Sequence, residues 1–286
     1  KQNVTRDLGR PEKFGIVLQP TLPTDFDTVK QLPDGSVIKK VYYELGRRLS
    51  VVWNDRRQMF QMLYRASGEG RTAYAESVDG IHWIKPLISE DGKSNLITYM
   101  GKTQGTFYEA SMMIDPNVPW GHAEKYKSAF NPGNVRCAIA HSADGIHWTG
   151  YNEGNSVTGR AADTFNQILW DPVGNRYMLI TRTDLGDIGG LQESRASRIM
   201  VHEKNNDLNT YPTAWRTLAN VNVDDPEAKV TKNGVPVFQM ESMNIWVYEN
   251  IYFGLMHVLT AGELTGSEGR VAVADPDKRP DADVID

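Results

Sequence analysis

The chain carries almost the same seven residues twice, "SVDGIHW" over 77–83 and "SADGIHW" over 142–148. Asp-Gly supplies the positive backbone φ that a tight hairpin turn needs, and Gly adopts it without the steric cost of a Cβ. Ile and Trp then restart a strand, and the Trp is large enough to fill the space between two packed layers. His82 and His147 recur with the turn and so read as turn or surface residues rather than catalytic ones. A phrase that returns with the same turn chemistry marks a structural unit, and this restricts the chain to a repeat architecture.

The flanking sequence says what the unit is. Before the first copy stands "LSVVWNDRRQMFQMLYRA" (49–66), two strand-like runs around a polar turn. Before the second stands "ASMMIDPNVPWGHAEKYKSAF" (110–130), the same hairpin with a longer loop. "FNQILWDPVGNRYMLITR" (165–182) and "SMNIWVYENIYFGLMHVL" (242–259) are third and fourth versions. Each joins a β-branched or aromatic run to a second run through Asp, Asn, Gly or Pro. A third strand leads into the phrase in "RTAYAESVDGIHW" (71–83) and "VRCAIAHSADGIHW" (135–148), and "SRIMVHEKNNDLNTYPTAW" (197–215) is a degenerate copy that keeps Trp215.

The two phrases start 65 residues apart (142 − 77), the scale of a β-propeller blade with its loops. No amphipathic helix of any length interrupts the pattern. The expected fold is all-β, a five-bladed β-propeller with four blade hairpins visible, each phrase being the turn between the third and fourth strands. Residues 1–286 are expected to form one domain, with clear units over about 40–260. The segments 1–35 and 262–286, rich in Pro, Asp and Gly, are expected to supply closing strands of a fifth blade or to belong to a longer chain.

Charge and composition exclude several functions. The net charge is −5 and no Lys/Arg cluster exceeds a pair, which disfavours nucleic acid, whose phosphates demand basic surfaces. No apolar run approaches the ~20 residues of a membrane helix. Cys137 is the only cysteine, so no intrachain disulfide forms, and its alternating setting reads as core. "SGEGR" and "DIGG" lack the strand–glycine–helix context of a phosphate cradle. There is no GxSxG elbow and no Cys/His cluster with zinc spacing, so no cofactor is implied, and no ligand spacing indicates a metal in the channel. The oligomeric state is left open.

In a propeller the innermost strands line a channel, and their first residues meet at one mouth. Aligned on their turns, the third and fourth inner strands lay "DTFNQILWD" (163–171) over "ESMNIWVYE" (241–249) without a gap. Asp163 then matches Glu241, and Asn166 matches Asn244. Glu109 in the second unit stands two positions off that register, and in the first unit Arg47 falls in register with Glu44 a little earlier. Converging carboxylates suit glycosidic cleavage, where one protonated acid donates to the leaving oxygen and one carboxylate attacks or activates water. The expected catalytic residues are therefore Asp163, Glu241 and Glu109. Arg65, Arg182 and His257 share one register at second-strand ends and, with Asn166 and Asn244, are expected to bind substrate. Asp55, Asp115, Asp171 and Glu249 sit in the hairpin turns at the opposite end and read as turn residues. Trp120, Tyr126 and Tyr151 are rings available for stacking on a sugar.

The combination of "MLYRASGEGRTAYAESVDGIHW" with "DTFNQILWDPVGNRYMLITR" resembles bacterial five-bladed β-propeller proteins related to glycoside hydrolase families 32 and 43. The resemblance implies a secreted or periplasmic protein acting on plant or algal oligosaccharides or polysaccharides. It implies three acids on inner strands, with Asp163 as the orienting or nucleophilic Asp, Glu241 as the general acid, and Glu109 or Glu44 as the third. The first-blade "NDPNG"-type motif of family 32 is absent, since "WND" at 53–55 falls at a turn. Three functions follow as expectations: a glycoside hydrolase, a non-catalytic carbohydrate-binding propeller, and a phosphate-dependent phosphorylase using Arg65, Arg182 and His257.

Overall fold

A computed structural model describes residues 12, 14–41, 49–66, 71–102, 106–134, 136–158, 162, 165–185, 194–203, 206–209, 214–221 and 238–260. Among these residues the regular structure is strand, with two short 3-10 turns and no α-helix. A leading hairpin, β1 (Phe26–Gln31) with β2 (Val37–Val41), precedes four meandering sheets. The first sheet orders β3 (Ser50–Asn54), β4 (Met59–Arg65) and β5 (Thr72–Ser77), and Ile84 adds an antiparallel bridge to Glu76 just after the first phrase. The second orders β7 (Met113–Ile114), β8 (Tyr126–Phe130), β9 (Ala138–Ser142) and β10 (His147–Gly150), with β6 (Thr98–Tyr99) parallel on its outer edge.

The third holds β11 (Gln167–Asp171), β12 (Arg176–Leu185), β13 (Ser194–His202) and β14 (Trp215–Val221). The fourth is the hairpin β15 (Phe238–Tyr248) with β16 (Ile251–Thr260). These are the four predicted units, stacked in chain order like blades. The β1–β2 hairpin is a fifth, two-stranded sheet, and among the described residues the sheets do not close into a ring.

Both faces of a middle sheet are buried, which is why the strands carry apolar side chains on alternate and often on consecutive positions. Leu63 and Tyr74 of the first sheet meet Phe107, Met112, Tyr126 and Trp148 of the second. Ala129, Cys137 and Ile139 of the second meet Ile168, Leu179 and Met200 of the third, and Leu169, Met178 and Ile180 meet Met240, Met243 and Ile245 of the fourth. Burial pushes the Cys137 thiol up to about 12, so it is an inert core residue. Tyr126 and Tyr151 are likewise buried between sheets and unavailable to a sugar. The segment before β1 is anchored by Asp25, which accepts from the Thr21 and Leu22 amides and pairs with Lys85 at 2.7 Å.

The repeated phrase is a self-bonded turn. Asp144 accepts from the Ile146 and His147 amides and from His147 Nδ1 at 2.8 Å, while Ser142 Oγ accepts from Gly145 N–H, whose φ is +83°. Trp148 Nε1 donates to the Gly145 carbonyl, and the ring is buried between the first two sheets. Ser77, Asp79, Gly80, His82 and Trp83 repeat every one of these bonds. Both histidine side chains are mostly exposed, so they clamp the turn.

Burial raises the Asp144 carboxyl, but the hydrogen bonds from His147, Ile146 and Ser142 together hold it below its ordinary value of 3.8. A depressed carboxyl stabilises the fold above its unfolded value and loses that contribution as pH falls through the folded one. Stability should therefore decline below about pH 3.8 with a slope that Asp144→Ala reduces, read from thermal melts between pH 5 and 2.

The acids of the inner hairpin turns prove structural. Asp171 accepts from the Val173 and Gly174 amides and from Tyr252 Oη at 2.6 Å. Asp115 is fully buried against Lys127 at 3.0 Å and receives a short hydrogen bond from Tyr177 of the third sheet. Removing one partner of a buried pair strands the other charge, so Lys127→Ala should cost about 3–5 kcal/mol in urea unfolding.

Candidate functional site

The inner strands β3, β7, β11 and β15 stand side by side around an axis, and each pair of neighbours is joined by a side chain bonding a backbone. Ser50 Oγ accepts from Met112 N–H at 2.9 Å. Ser111 Oγ accepts from Ile168 N–H at 3.2 Å, and the Gln167 amide both accepts from Ile245 N–H and donates to its carbonyl. With the strands so fixed, the residues just before them share one end of the axis.

At that end lies a belt of polar links. Arg65, at the end of β4, donates to Glu109 Oε1 at 2.6 Å across the first two sheets, with its guanidinium 5.4 Å from the Tyr108 ring. The Glu109 carbonyl accepts from Asn166 N–H at 3.3 Å, joining the second sheet to the third. Arg195, near the start of β13, donates to Glu241 Oε2 at 2.6 Å, joining the third sheet to the fourth. Both glutamates are only 4% exposed, so each exchanges water for an arginine.

Irregular backbone presents both carboxylates. Glu109 has φ +53°, a left-handed conformation that costs a residue with a Cβ roughly 1–2 kcal/mol. Glu241 is the extra residue of a β-bulge, since Met240 pairs with Val258 and Ser242 with His257. A bulge re-aims the side chain it releases from the ladder. Beside it, Ser242 Oγ and His257 Nδ1 lie 3.0 Å apart.

The remaining predicted residues divide. Asp163 lies outside the described residues, as do Glu44 and Arg47. Asn166 is fully buried and donates its amide to the Ala162 carbonyl at 3.1 Å, so it braces the belt. Arg182 lies opposite Ser197 on β13, two residues from Arg195.

Asn244 corrects the gap-free register. Asn166, Ile168 and Trp170 alternate onto the face of the third sheet that looks back at the second, whereas Met243 and Ile245 take the backward face of the fourth. Asn244 therefore faces away, opposite in sense to Asn166. The cause is the turn: four residues, 172–175, connect β11 to β12, but only Glu249 and Asn250 connect β15 to β16. Turn-anchored alignment slips by one residue and exchanges the faces.

Two features escaped the sequence reading. Arg195 sits in a degenerate repeat with nothing local to mark it. At the turn end of the inner strands lies a cavity of about 640 Å³ lined by Trp53, Met113, Ile114, Gln167, Trp170 and Trp246. Its walls are largely apolar, and the Gln167 amide is committed to Ile245. Among the described residues no group of three or more His, Cys, Asp or Glu is placed to hold a metal ion.

These features define an all-β protein of stacked antiparallel sheets with an arginine–glutamate belt at one end of its inner strands. No family model matches the chain, and no curated protein does. Solved structures do. An endo-arabinase from Bacteroides thetaiotaomicron superposes with a TM-score of 0.50 at 13% identity, covering 75% of this chain and 70% of that one. A thermostable family-43 glycoside hydrolase gives 0.48 at 15% identity over 76% of this chain and 64% of that one. A fructofuranosidase from Schwanniomyces occidentalis, complexed with fructosylnystose, gives 0.46 at 13% identity over 74% of this chain and 39% of that one. The chain thus spans less than two thirds of the last two. Its structural neighbours are the family 43 and fructofuranosidase enzymes whose propeller the repeated turns resemble, and the likeness is one of fold.

The strained position offers a check on the backbone. Glycine occupies the left-handed region freely, so Glu109→Gly should be more stable than Glu109→Ala by about 1 kcal/mol in urea unfolding. Equal stabilities would remove the left-handed conformation at residue 109.

Proposed function

We propose that this chain is a glycoside hydrolase, or the catalytic part of one, cleaving plant or algal oligosaccharides or polysaccharides by carboxylate acid/base chemistry. The observation that carries the reading is the pair Glu109 and Glu241. Both are buried carboxylates at the same end of inner strands, each presented by backbone that departs from regular strand geometry. Such departures cost free energy and are retained where a side chain must be aimed. In this reading Glu241 protonates the leaving oxygen, Asp163 is the nucleophilic or orienting carboxylate, and Glu109 is the third acid. Arg65 and Arg195 orient the glutamates, while Arg182 and His257 meet sugar hydroxyls. The proposal includes a fifth blade that closes the ring, since Trp246, Tyr248, Phe253 and Leu255 form an exposed apolar face on the fourth sheet.

A non-catalytic carbohydrate-binding propeller is the second reading, favoured by the engagement of both glutamates with arginines. The same engagement weighs against phosphorolysis, because Arg65 is already committed to Glu109.

Incubation with a panel of oligosaccharides, with and without inorganic phosphate, separates the readings by mass spectrometry of products. Cleavage that falls at least ~10²-fold in Asp163→Asn and in Glu241→Gln, with melting temperatures retained, supports the hydrolase. Phosphate-dependent cleavage selects the phosphorylase. Sugar binding without products selects the binding propeller, and undiminished cleavage in both variants removes these residues from the mechanism.

A further inference from the structure

The bulge in β15 places more than Glu241. Met240 pairs with Val258 and Ser242 with His257, so Glu241 is an extra residue between two rungs of the ladder. Side chains alternate between the faces of a strand, and in a regular strand Ser242 would share the face of Met240. Met240 and Met243 both pack toward the third sheet, however, which an unbroken alternation does not allow. The extra residue resets the alternation. Ser242 and its partner His257 therefore take the opposite face of the fourth sheet, while Glu241 reaches back to Arg195.

The chemistry of this cross-strand pair fixes the position of a proton. Ser242 is 3% exposed, and its Oγ lies 3.0 Å from His257 Nδ1. A hydroxyl has one proton to donate, and burying it without an acceptor costs free energy. A neutral imidazole carries one proton, so Nδ1 either donates to the hydroxyl or accepts from it. If Nδ1 donated, the Ser242 proton would have no acceptor among the described residues. If Nδ1 accepts, the hydroxyl is satisfied and the imidazole proton sits on Nε2. An unconstrained histidine exchanges between the two tautomers, whereas this ring is held opposite a buried hydroxyl on a ladder rung.

We propose that Ser242 is a positioning residue: its hydroxyl donates to Nδ1 and holds His257 in the neutral Nε2–H form, so that the ring acts as a hydrogen-bond donor. Resting on the glycoside hydrolase reading, this specifies the contact His257 makes. The sugar oxygen it meets accepts a hydrogen bond, and a hydroxyl there keeps its own proton for another partner. It also removes His257 from proton abstraction, because Nε2 already carries a proton and the Nδ1 lone pair is taken by Ser242. The bulge thus serves both faces of the fourth sheet, aiming a carboxylate on one and setting a tautomer on the other.

Nitrogen-15 NMR of the wild-type chain at pH 8, above the ordinary histidine value of about 6.5, reads the two ring nitrogens directly. The His257 signals, assigned by their loss in His257→Gln, should show a pyrrole-type Nε2 and a pyridine-type Nδ1, the pattern of a single neutral tautomer. Ser242→Ala should move both signals toward the average of two exchanging tautomers, and Ser242→Thr, which keeps the hydroxyl, should restore them. A protonated Nδ1 in the wild type, or signals that stay in place in Ser242→Ala, would overturn the proposal. Should Ser242→Ala fail to fold, the wild-type spectrum still decides.

Kinetics separate the tautomer from its use. With an oligosaccharide that the chain cleaves, Ser242→Ala should raise KM about 10-fold with kcat unchanged, and Ser242→Thr should recover it. An unchanged KM alongside a shifted tautomer would take His257 away from the substrate and sink its role as a donor there. A chain that cleaves no member of the panel fails the hydrolase reading instead, and the spectrum alone then passes or rejects the role of Ser242.

Discussion

The fold depends on a handful of hydrogen bonds near its axis. Four sheets packed through apolar faces could slide over one another at little cost, because dispersion and water exclusion are not directional. Ser50, Ser111 and Gln167 remove that freedom by bonding the backbone of the next inner strand. Each bond also satisfies a backbone group that no ladder reaches, since inner strands have no hydrogen-bonded neighbour on the axis side. The stack is thereby locked at the radius where its polar belt forms, and everything proposed about chemistry rests on that lock.

The belt illustrates how stacked sheets place charge. Arg65 and Glu109 come from different sheets, as do Arg195 and Glu241. Neither pair could be assembled within one blade, and each ties adjacent blades at their crowded inner end. Burying a carboxylate is costly unless donors replace its water, so the arginines are conditions for the glutamates to be there at all. The bulge at Glu241 and the left-handed φ at Glu109 add local backbone cost. The opposite end is built differently, with Asp115 and Asp171 absorbed into turns and three tryptophans lining an apolar cavity. One end of the inner strands is thus charged and the other largely apolar.

How far the sequence could be read depended on the range of the interaction. The Asp-Gly turn was fully legible, because its hydrogen bonds run from Ser142 and Asp144 to residues two or three positions on. The hairpins were legible through alternation, and the turn acids through their place between strands. Glu109 and Glu241 could be named as inner-strand acids, but their arginines could not. Arg195 is 46 residues from Glu241, in the repeat with the least recognisable pattern. Asn244 was misread because a two-residue turn and a four-residue turn look alike when aligned on their acids, yet differ in which face the next residue takes.

The sequence by itself determined the unit: an Asp-Gly turn fixes φ locally, strict alternation fixes a strand with two faces, and repetition of both fixes a stack of small sheets. Only the tertiary structure decided which inner-strand residues meet and with what partners. That outcome depends on strand register and on the angle between stacked sheets, quantities set by the packing of side chains contributed from distant repeats, and no local pattern encodes them.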